Sequence, residues 1–318
     1  MCIATKNGNS NITNTTITKG KEHHRNRSTS SALQRMAPLI LSGYLFNTLC
    51  YFLLYTILPS NLTPVPKYCP LDNPHCKRHG LLAFQLVSLL NLSYLGLLGV
   101  YTFFISKRAL NELPQTPQGR YFGNVLTEGR VLLPEADWIC AVIVIFQGWD
   151  FVVSMFFEEH CTRIMMCHHF LAFICGFFCL VYEVNPFYAV YIGGVSEFSS
   201  IFLCISQFFQ FCPPASLVSP SSSYVLPILH LLSAIEAFSQ IMFVISFLMF
   251  RIVGWAYLSY LLCKDGSYIM KHGLCRRYSP GSGWFLWYLL ACSLGLGALQ
   301  VFWVRGIVNK VLEVMNGN

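Results

Sequence analysis

The chain contains seven apolar runs, each long enough to cross a lipid bilayer as a helix. A hydrocarbon core about 30 Å thick requires about 20 mostly apolar helical residues. The sequence therefore predicts an all-α fold, a polytopic transmembrane helix bundle of about seven spans. The predicted spans cover residues 36–58, 81–105, 138–157, 164–182, 186–211, 225–250 and 284–308.

Two of the span boundaries leave six spans as the alternative. Only EVNP, residues 183–186, separates the fourth run from the fifth. The sixth run continues as RIVGWAYLSYLLCK, residues 251–264, which would also suit the membrane interface. Pro186 fits the first turn of a helix, and Pro213 with Pro214 would end the helix before them.

The composition agrees with a membrane protein, because 54% of the residues are apolar and only 11% are charged. Soluble domains carry about 25% charged residues. The basic residues behind the net charge of +7 are scattered through short connecting stretches, which argues against a nucleic-acid-binding face. We expect membrane lipids as partners and no nucleic acid, and leave homo-oligomerisation open.

Four segments make up the predicted organisation. Residues 1–35, rich in Asn, Ser and Thr, are predicted to be a disordered polar tail and not a cleaved signal peptide. Residues 36–79 hold the first transmembrane helix and a polar loop. The main transmembrane domain covers residues 80–310, and residues 311–318 form a short C-terminal tail.

The 14 cysteines predict no disulfide framework, because half of them lie in apolar runs where a thiol behaves as a small hydrophobe. Cys69 and Cys76 lie in a polar loop beside His75 and His79. Their spacing matches no standard zinc site. We therefore predict no metal and no cofactor.

Ionisable residues within the spans are the candidate functional residues. Such a group costs about 2.5–3.5 kcal/mol at the centre of an inserted helix, so it usually faces the bundle interior or a wet cavity. For groups near span ends, snorkelling or interfacial capping is the alternative. The residues are Asp150, His168, His169, Glu197, His230, Glu236 and Arg251.

The adjacent histidines His168 and His169 are the most unusual of these residues. Neighbouring helical positions point about 100° apart, so the two cannot share a face or grip one metal as an i, i+4 pair would. The elongase pattern His-X-X-His-His also fails, because Met165 stands at its first position.

One hypothesis for the histidines is a proton-handling pair, with Glu197 as the natural partner. The alternative is that they hydrogen-bond Ser196, Ser199, Gln207 or backbone carbonyls and tie two helices together.

Four segments in order, GWDFVVSMFF, IMMCHHFLAF, GGVSEFSSIFL and VISFLMFRIVGW, resemble the TLC domain family. The resemblance covers roughly residues 80–308 and leaves the first span outside. The matching residues are Asp150, His168, His169, Ser196, Glu197, Ser199 and Arg251.

This resemblance implies an all-helical lipid-handling bundle, generally of the endoplasmic reticulum. Some members are ceramide synthases, which acylate a sphingoid base from acyl-CoA, and others are noncatalytic. The chain departs from the synthase pattern, because YIGGVSEFSS stands where that pattern has a His-Asp-X-X-Asp cluster. The usual Trp-Asn-Arg type sequence before the second span is also absent, and CKRHGLLAF stands there.

Three functional hypotheses follow. The first is a membrane protein that binds lipid acyl chains and influences membrane lipid homeostasis, with Ser196, Ser199 and Arg251 as lipid-handling residues. The second is an acyl-CoA-dependent N-acyltransferase. In it His168 or His169 acts as general base, and Glu197 or Asp150 orients the imidazole. The third is a noncatalytic cargo or trafficking factor of the endoplasmic reticulum.

The orientation in the membrane stays open, because the signals disagree. Alternating the loops places most Lys and Arg residues on the N-terminal side, which favours a cytosolic N-terminus. Glycosylation sequons at Asn11, Asn14 and Asn26, and the family resemblance, favour a lumenal one.

Overall fold

The computed structural model describes residues 32–58, 78–123, 133–156, 162–212 and 225–315. Within these ranges the regular structure is entirely helical, and seven helices are long and apolar enough to cross a membrane. The predicted all-α bundle of seven spans is confirmed. The predicted tail up to residue 31, the loop with Cys69 and Cys76, and Pro213 with Pro214 lie outside the described residues.

Twelve helices follow one another along the described chain. Three π-helical segments, Tyr101–Ile105, Ala189–Gly194 and Phe247–Gly254, and one 3-10 turn, Val195–Glu197, extend or join them. The helices are α1 Ala32–Ile57, α2 Arg78–Val100, α3 Arg108–Asn111, α4 Pro117–Phe122, α5 Pro134–Ser154, α6 Arg163–Tyr182, α7 Pro186–Tyr188, α8 Phe198–Phe211, α9 Val225–Ser246, α10 Trp255–Lys271, α11 Leu274–Tyr278 and α12 Gly283–Met315.

The first and last helices extend into both predicted tails. Helix α1 begins at Ala32, so residues 32–35 are helical and not disordered. Contacts with distant segments stabilise this first turn of α1. The Ala32 amide donates to Glu183 Oε1 at 2.7 Å, and the Arg35 guanidinium lies 3.4 Å from the carboxylates of both Glu183 and Asp137. Helix α12 continues to Met315, into the predicted C-terminal tail.

The EVNP segment separates two spans because its backbone cannot continue a helix. Glu183 and Asn185 both have left-handed conformations, with φ of 51° and 64°. This conformation is typical of helix ends. Pro186 then begins α7 at the first helical position. The fourth and fifth runs therefore form separate helices, in agreement with a seven-span bundle.

The sixth run forms one continuous helical stretch, Leu226–Lys271, that includes the segment considered for the interface. One face of helix α10 packs into the bundle, where Trp255, Leu258 and Leu262 are buried. The Trp255 indole donates to the Ser293 carbonyl of α12 at 3.1 Å, and the Ser259 and Ser293 hydroxyls lie 2.7 Å apart. The structure thus packs one face of this segment against α12 and leaves the opposite face, with Val253, Tyr257 and Tyr260, exposed.

Glycines let α2 approach the 186–211 span at backbone distance. A Cβ atom at Gly96 would lie 2.7 Å from Phe198 Cα, and one at Gly99 would overlap the backbone of Gly194. Small residues allow such close helix contacts in membrane proteins. These glycines therefore fix the position of the span that carries Glu197.

We predict that Gly96→Ala lowers the thermal unfolding temperature of the protein in detergent, because the Phe198 backbone cannot move aside as a flexible side chain would. The matched control is Gly295→Ala, since a Cβ atom added there would meet no described residue within 4 Å outside its own helix turn. There the change should be neutral or stabilising, because Ala favours a helix by about 1 kcal/mol over Gly. Equal effects of the two substitutions would contradict the close approach.

Candidate functional site

A cavity of about 100 Å³ lies between α5, α6, the 186–211 span, α10 and α12. On α6 its wall extends from His168 to Cys179, and on α12 from Leu289 to Gln300. At a rise of 1.5 Å per residue, each of these stretches is about 17 Å long. The cavity is therefore a narrow slot that follows the helix axes.

Most of the slot has an apolar wall, with polar groups at its ends. Between the ends, Ala172, Gly176, Ile192 and Leu296 form part of the wall. The polar groups at the first end are His168, Glu197, Arg251, Gln147 and Gln300, and those at the other are Asn185 and Tyr188.

Arg251, which is buried, and Glu197, which is partly buried, form an ion pair at the first end, with Arg251 Nη2 2.7 Å from Glu197 Oε2. The same Nη2 donates to Ser200 Oγ at 2.7 Å, and Nε donates to the Ser196 carbonyl and Ser199 Oγ, both at 3.0 Å. Ser200 in turn donates to Glu197 at 2.8 Å. We call these five residues the arginine cluster.

Irregular helix turns place the arginine cluster. Arg251 lies in the π-helical segment Phe247–Gly254, and Glu197 ends the 3-10 turn that joins the π-helical segment Ala189–Gly194 to α8. π-helical turns occur frequently at functional sites. The predicted residues Ser196, Glu197, Ser199 and Arg251 thus meet at one point.

His169 lies in a second polar contact, between α5 and α6. Its Nδ1 is 2.7 Å from Gln147 Oε1, and its Nε2 is 3.6 Å from Asp150 Oδ1. Ser154 Oγ donates to Asp150 Oδ1 at 2.8 Å. Neither His169 nor Asp150 belongs to the cavity wall. This contact therefore ties two helices together behind the wall.

His168 faces the cavity, whereas its neighbour does not. Its ring lies 5.5 Å from the His169 ring and 5.8 Å from the Trp303 ring of α12. Its Nδ1 atom is buried and has no hydrogen-bond partner among the described residues. The prediction that the two histidines point to different faces is confirmed.

Of the two carboxylates expected to orient a histidine, only Asp150 lies beside one. Glu197, expected beside the histidines, binds Arg251, and Asp150 is the carboxylate nearest to His169. Snorkelling or capping does not describe Asp150 and Arg251, because only 4% and 7% of their surfaces are exposed.

The other expected partners of the histidines also differ. Ser199 and the Ser196 carbonyl bind Arg251, and His169 binds Gln147 in place of Gln207. His230 and Glu236 lie on α9 and do not line the cavity. No group of three His, Cys, Asp or Glu side chains within the described ranges could hold a metal.

A third polar cluster, missed by the sequence reasoning, closes the other end of the slot. Arg120 of α4 binds both oxygens of Asp265, each at 2.7 Å, and the Tyr188 hydroxyl donates to Asp265 at 2.6 Å. The hydrogen bond from Arg120 to Asp265 raises the pKa of Arg120. The signal in the sequence was Asp265, an acidic residue directly after the apolar stretch 251–264, but the predicted sixth span ended at residue 250. In the structure Asp265 is fully buried.

Comparison with protein families agrees with this architecture. A family model for the TLC domain matches residues 82–309. The chain belongs to the TLC domain family. The match includes the cavity and all three polar clusters and leaves α1 outside, in agreement with the resemblance seen in the sequence. No curated protein sequence and no solved structure matches this TLC domain protein.

We predict that Glu197→Gln destabilises the protein strongly, since it leaves the buried Arg251 charge without its counter-ion. Removing one partner of a buried pair costs about 3–5 kcal/mol. Thermal unfolding in detergent and the yield of monodisperse protein would show the loss.

Glu236→Gln is the matched control, because this carboxylate also lies within a span but forms only a 3.4 Å contact with Gln240. It should change the unfolding temperature little. The double variant Glu197→Gln/Arg251→Met should recover part of the loss, and a double variant worse than either single one would contradict the pairing argument.

Proposed function

We propose that this TLC domain protein binds a single lipid acyl chain in the slot and thereby influences the lipid composition of its membrane. The observation that carries the proposal is the apolar slot, about 17 Å long at helical rise, which ends at the polar group formed by His168 and Arg251. Binding sites for small molecules commonly combine an apolar wall with a few polar groups.

The polar end would supply the selectivity of such a site. A lipid acyl chain that moves from the bilayer into the slot exchanges one apolar environment for another. The hydrophobic effect therefore contributes little to the free energy of this transfer. Hydrogen bonds at His168 and Gln300 would then distinguish the bound lipid from bulk lipid.

A noncatalytic role is favoured by the position of the ionisable groups. A general base needs access to the substrate, and a carboxylate usually orients an imidazole that acts as one. Here the histidine beside a carboxylate, His169, lies behind the wall, and Glu197 is bound to Arg251.

On the precedent of the family, we further propose that the protein is located in the endoplasmic reticulum.

The second candidate function is an acyl-CoA-dependent N-acyltransferase, with acyl-CoA as co-substrate. The observation that favours it is the Nδ1 atom of His168 at the polar end of the slot, which has no hydrogen-bond partner within the described ranges. In that reaction His168 would accept a proton from an amine that attacks the thioester carbonyl, and the CoA thiolate would leave.

Filling the slot provides the test of chain binding. We predict that Ala172→Phe removes most of the acyl lipid that copurifies with the protein, because Ala172 lies on the cavity wall. Ala237→Phe, on the exposed face of α9, is the matched control and should retain the lipid. Mass spectrometry of extracted lipid measures both, with thermal unfolding as a folding check. Equal lipid content in the two variants would refute the slot as the binding site.

An acyl-transfer assay separates the two candidates. We expect no product when purified protein is given labelled acyl-CoA with sphingoid bases or lysophospholipids, while bound lipid is retained. Product from the wild type that disappears in a folded His168→Ala variant would instead establish the acyltransferase. His169→Ala is the comparison, and it should lower the unfolding temperature because it loses the Gln147 contact.

A further inference from the structure

Gln300 of α12 presents a buried acceptor to the cavity. Only 1% of its surface is exposed, and its side chain belongs to the cavity wall. Its Oε1 atom has no hydrogen-bond partner in the part of the chain that the structure describes. Buried polar groups are almost always hydrogen-bonded. An unpaired carbonyl oxygen at this position therefore calls for a donor from a bound molecule.

His168 supplies a second unpaired atom near the same end. Its Nδ1 is buried without a partner among the described residues, and the ring lines the cavity. Trp303, one helical turn after Gln300, lies 5.8 Å from the His168 ring, so this part of α12 packs beside the histidine. A group that both donates and accepts would satisfy the two atoms together.

The charges at this end are already neutralised. Arg251 is the only permanent cation among the residues that line the cavity, and its guanidinium is bound to Glu197 and to the serines of the arginine cluster. A carboxylate or phosphate head group would find no free cation, and an ammonium group no free carboxylate. Burial of an unpaired charge is far more costly than burial of a hydroxyl.

We propose that the slot selects single-chain lipids with an uncharged hydroxyl head group, an inference that rests on chain binding as the function of the slot. The hydroxyl donates to Gln300 Oε1, and its oxygen accepts a hydrogen bond from His168 in the tautomer protonated at Nδ1. Gln300 is then the residue that determines head-group specificity. The arginine cluster shapes the site and keeps it electrically neutral.

Three photoactivatable probes test the proposal. All carry the same diazirine-bearing long alkyl chain and differ only in the head group: a hydroxyl, a methyl ether or a carboxylate. The concentration that gives half-maximal crosslinking is measured for purified full-length protein in nanodiscs. Crosslinking that persists in the Ala172→Phe variant is subtracted as background outside the slot.

We expect the alcohol to bind about tenfold more tightly than the ether, since the ether cannot donate to the buried acceptor. The carboxylate should bind more weakly than the alcohol. Gln300→Leu should bring the alcohol-to-ether ratio close to one while crosslinking within the slot persists. Gln240→Leu, which removes an exposed glutamine from α9, is the matched control and should keep the wild-type ratio.

The outcomes separate this inference from chain binding itself. Equal binding of the three probes within the slot, or tightest binding of the carboxylate, overturns head-group selection but leaves chain binding intact. A tenfold ratio that survives in Gln300→Leu overturns the role of Gln300. Absence of crosslinking above background with every probe rejects the proposed function. The wild-type ratio tests the selection even where Gln300→Leu fails to fold.

Discussion

The ion pair between Arg251 and Glu197 is the interaction on which the rest of the site depends. A charge within a membrane span is costly, and it persists where an opposite charge and hydrogen-bond partners surround it. Here three serines of the fifth span complete the arrangement around the 2.7 Å pair. The pair joins that span to the long helical stretch Leu226–Lys271, and this junction forms the polar end of the slot.

A cluster of charged residues at each end encloses an uncharged slot. Arg120, Asp265 and Tyr188 satisfy one another at the far end, as Arg251 and Glu197 do at the near end. The wall groups that lack a hydrogen-bond partner in the described part of the chain include neutral ones, such as the side-chain oxygens of Gln300 and Asn185. This distribution suits a neutral amphiphile better than an ionic one.

The two histidines show how far residue pattern could predict the site. Their divergence follows from helix geometry, so the sequence predicted it correctly. Their partners did not follow, because Gln147 is 22 residues away on another helix and was not among the ionisable candidates. Gln300 was missed for the same reason, since an uncharged amide in an apolar run attracts attention only when its burial is known.

Sequence pattern was enough to predict the seven helical spans, their approximate limits, the TLC family and most members of the arginine cluster. These properties depend on local hydrophobicity and on residue order, which the chain displays directly. Only the packing of the helices shows which histidine faces the slot and which carboxylate neutralises Arg251. It also shows that α1 begins at Ala32, whose amide donates to Glu183. The physical reason is that burial and charge pairing arise between distant segments, and these meet only when the helices pack.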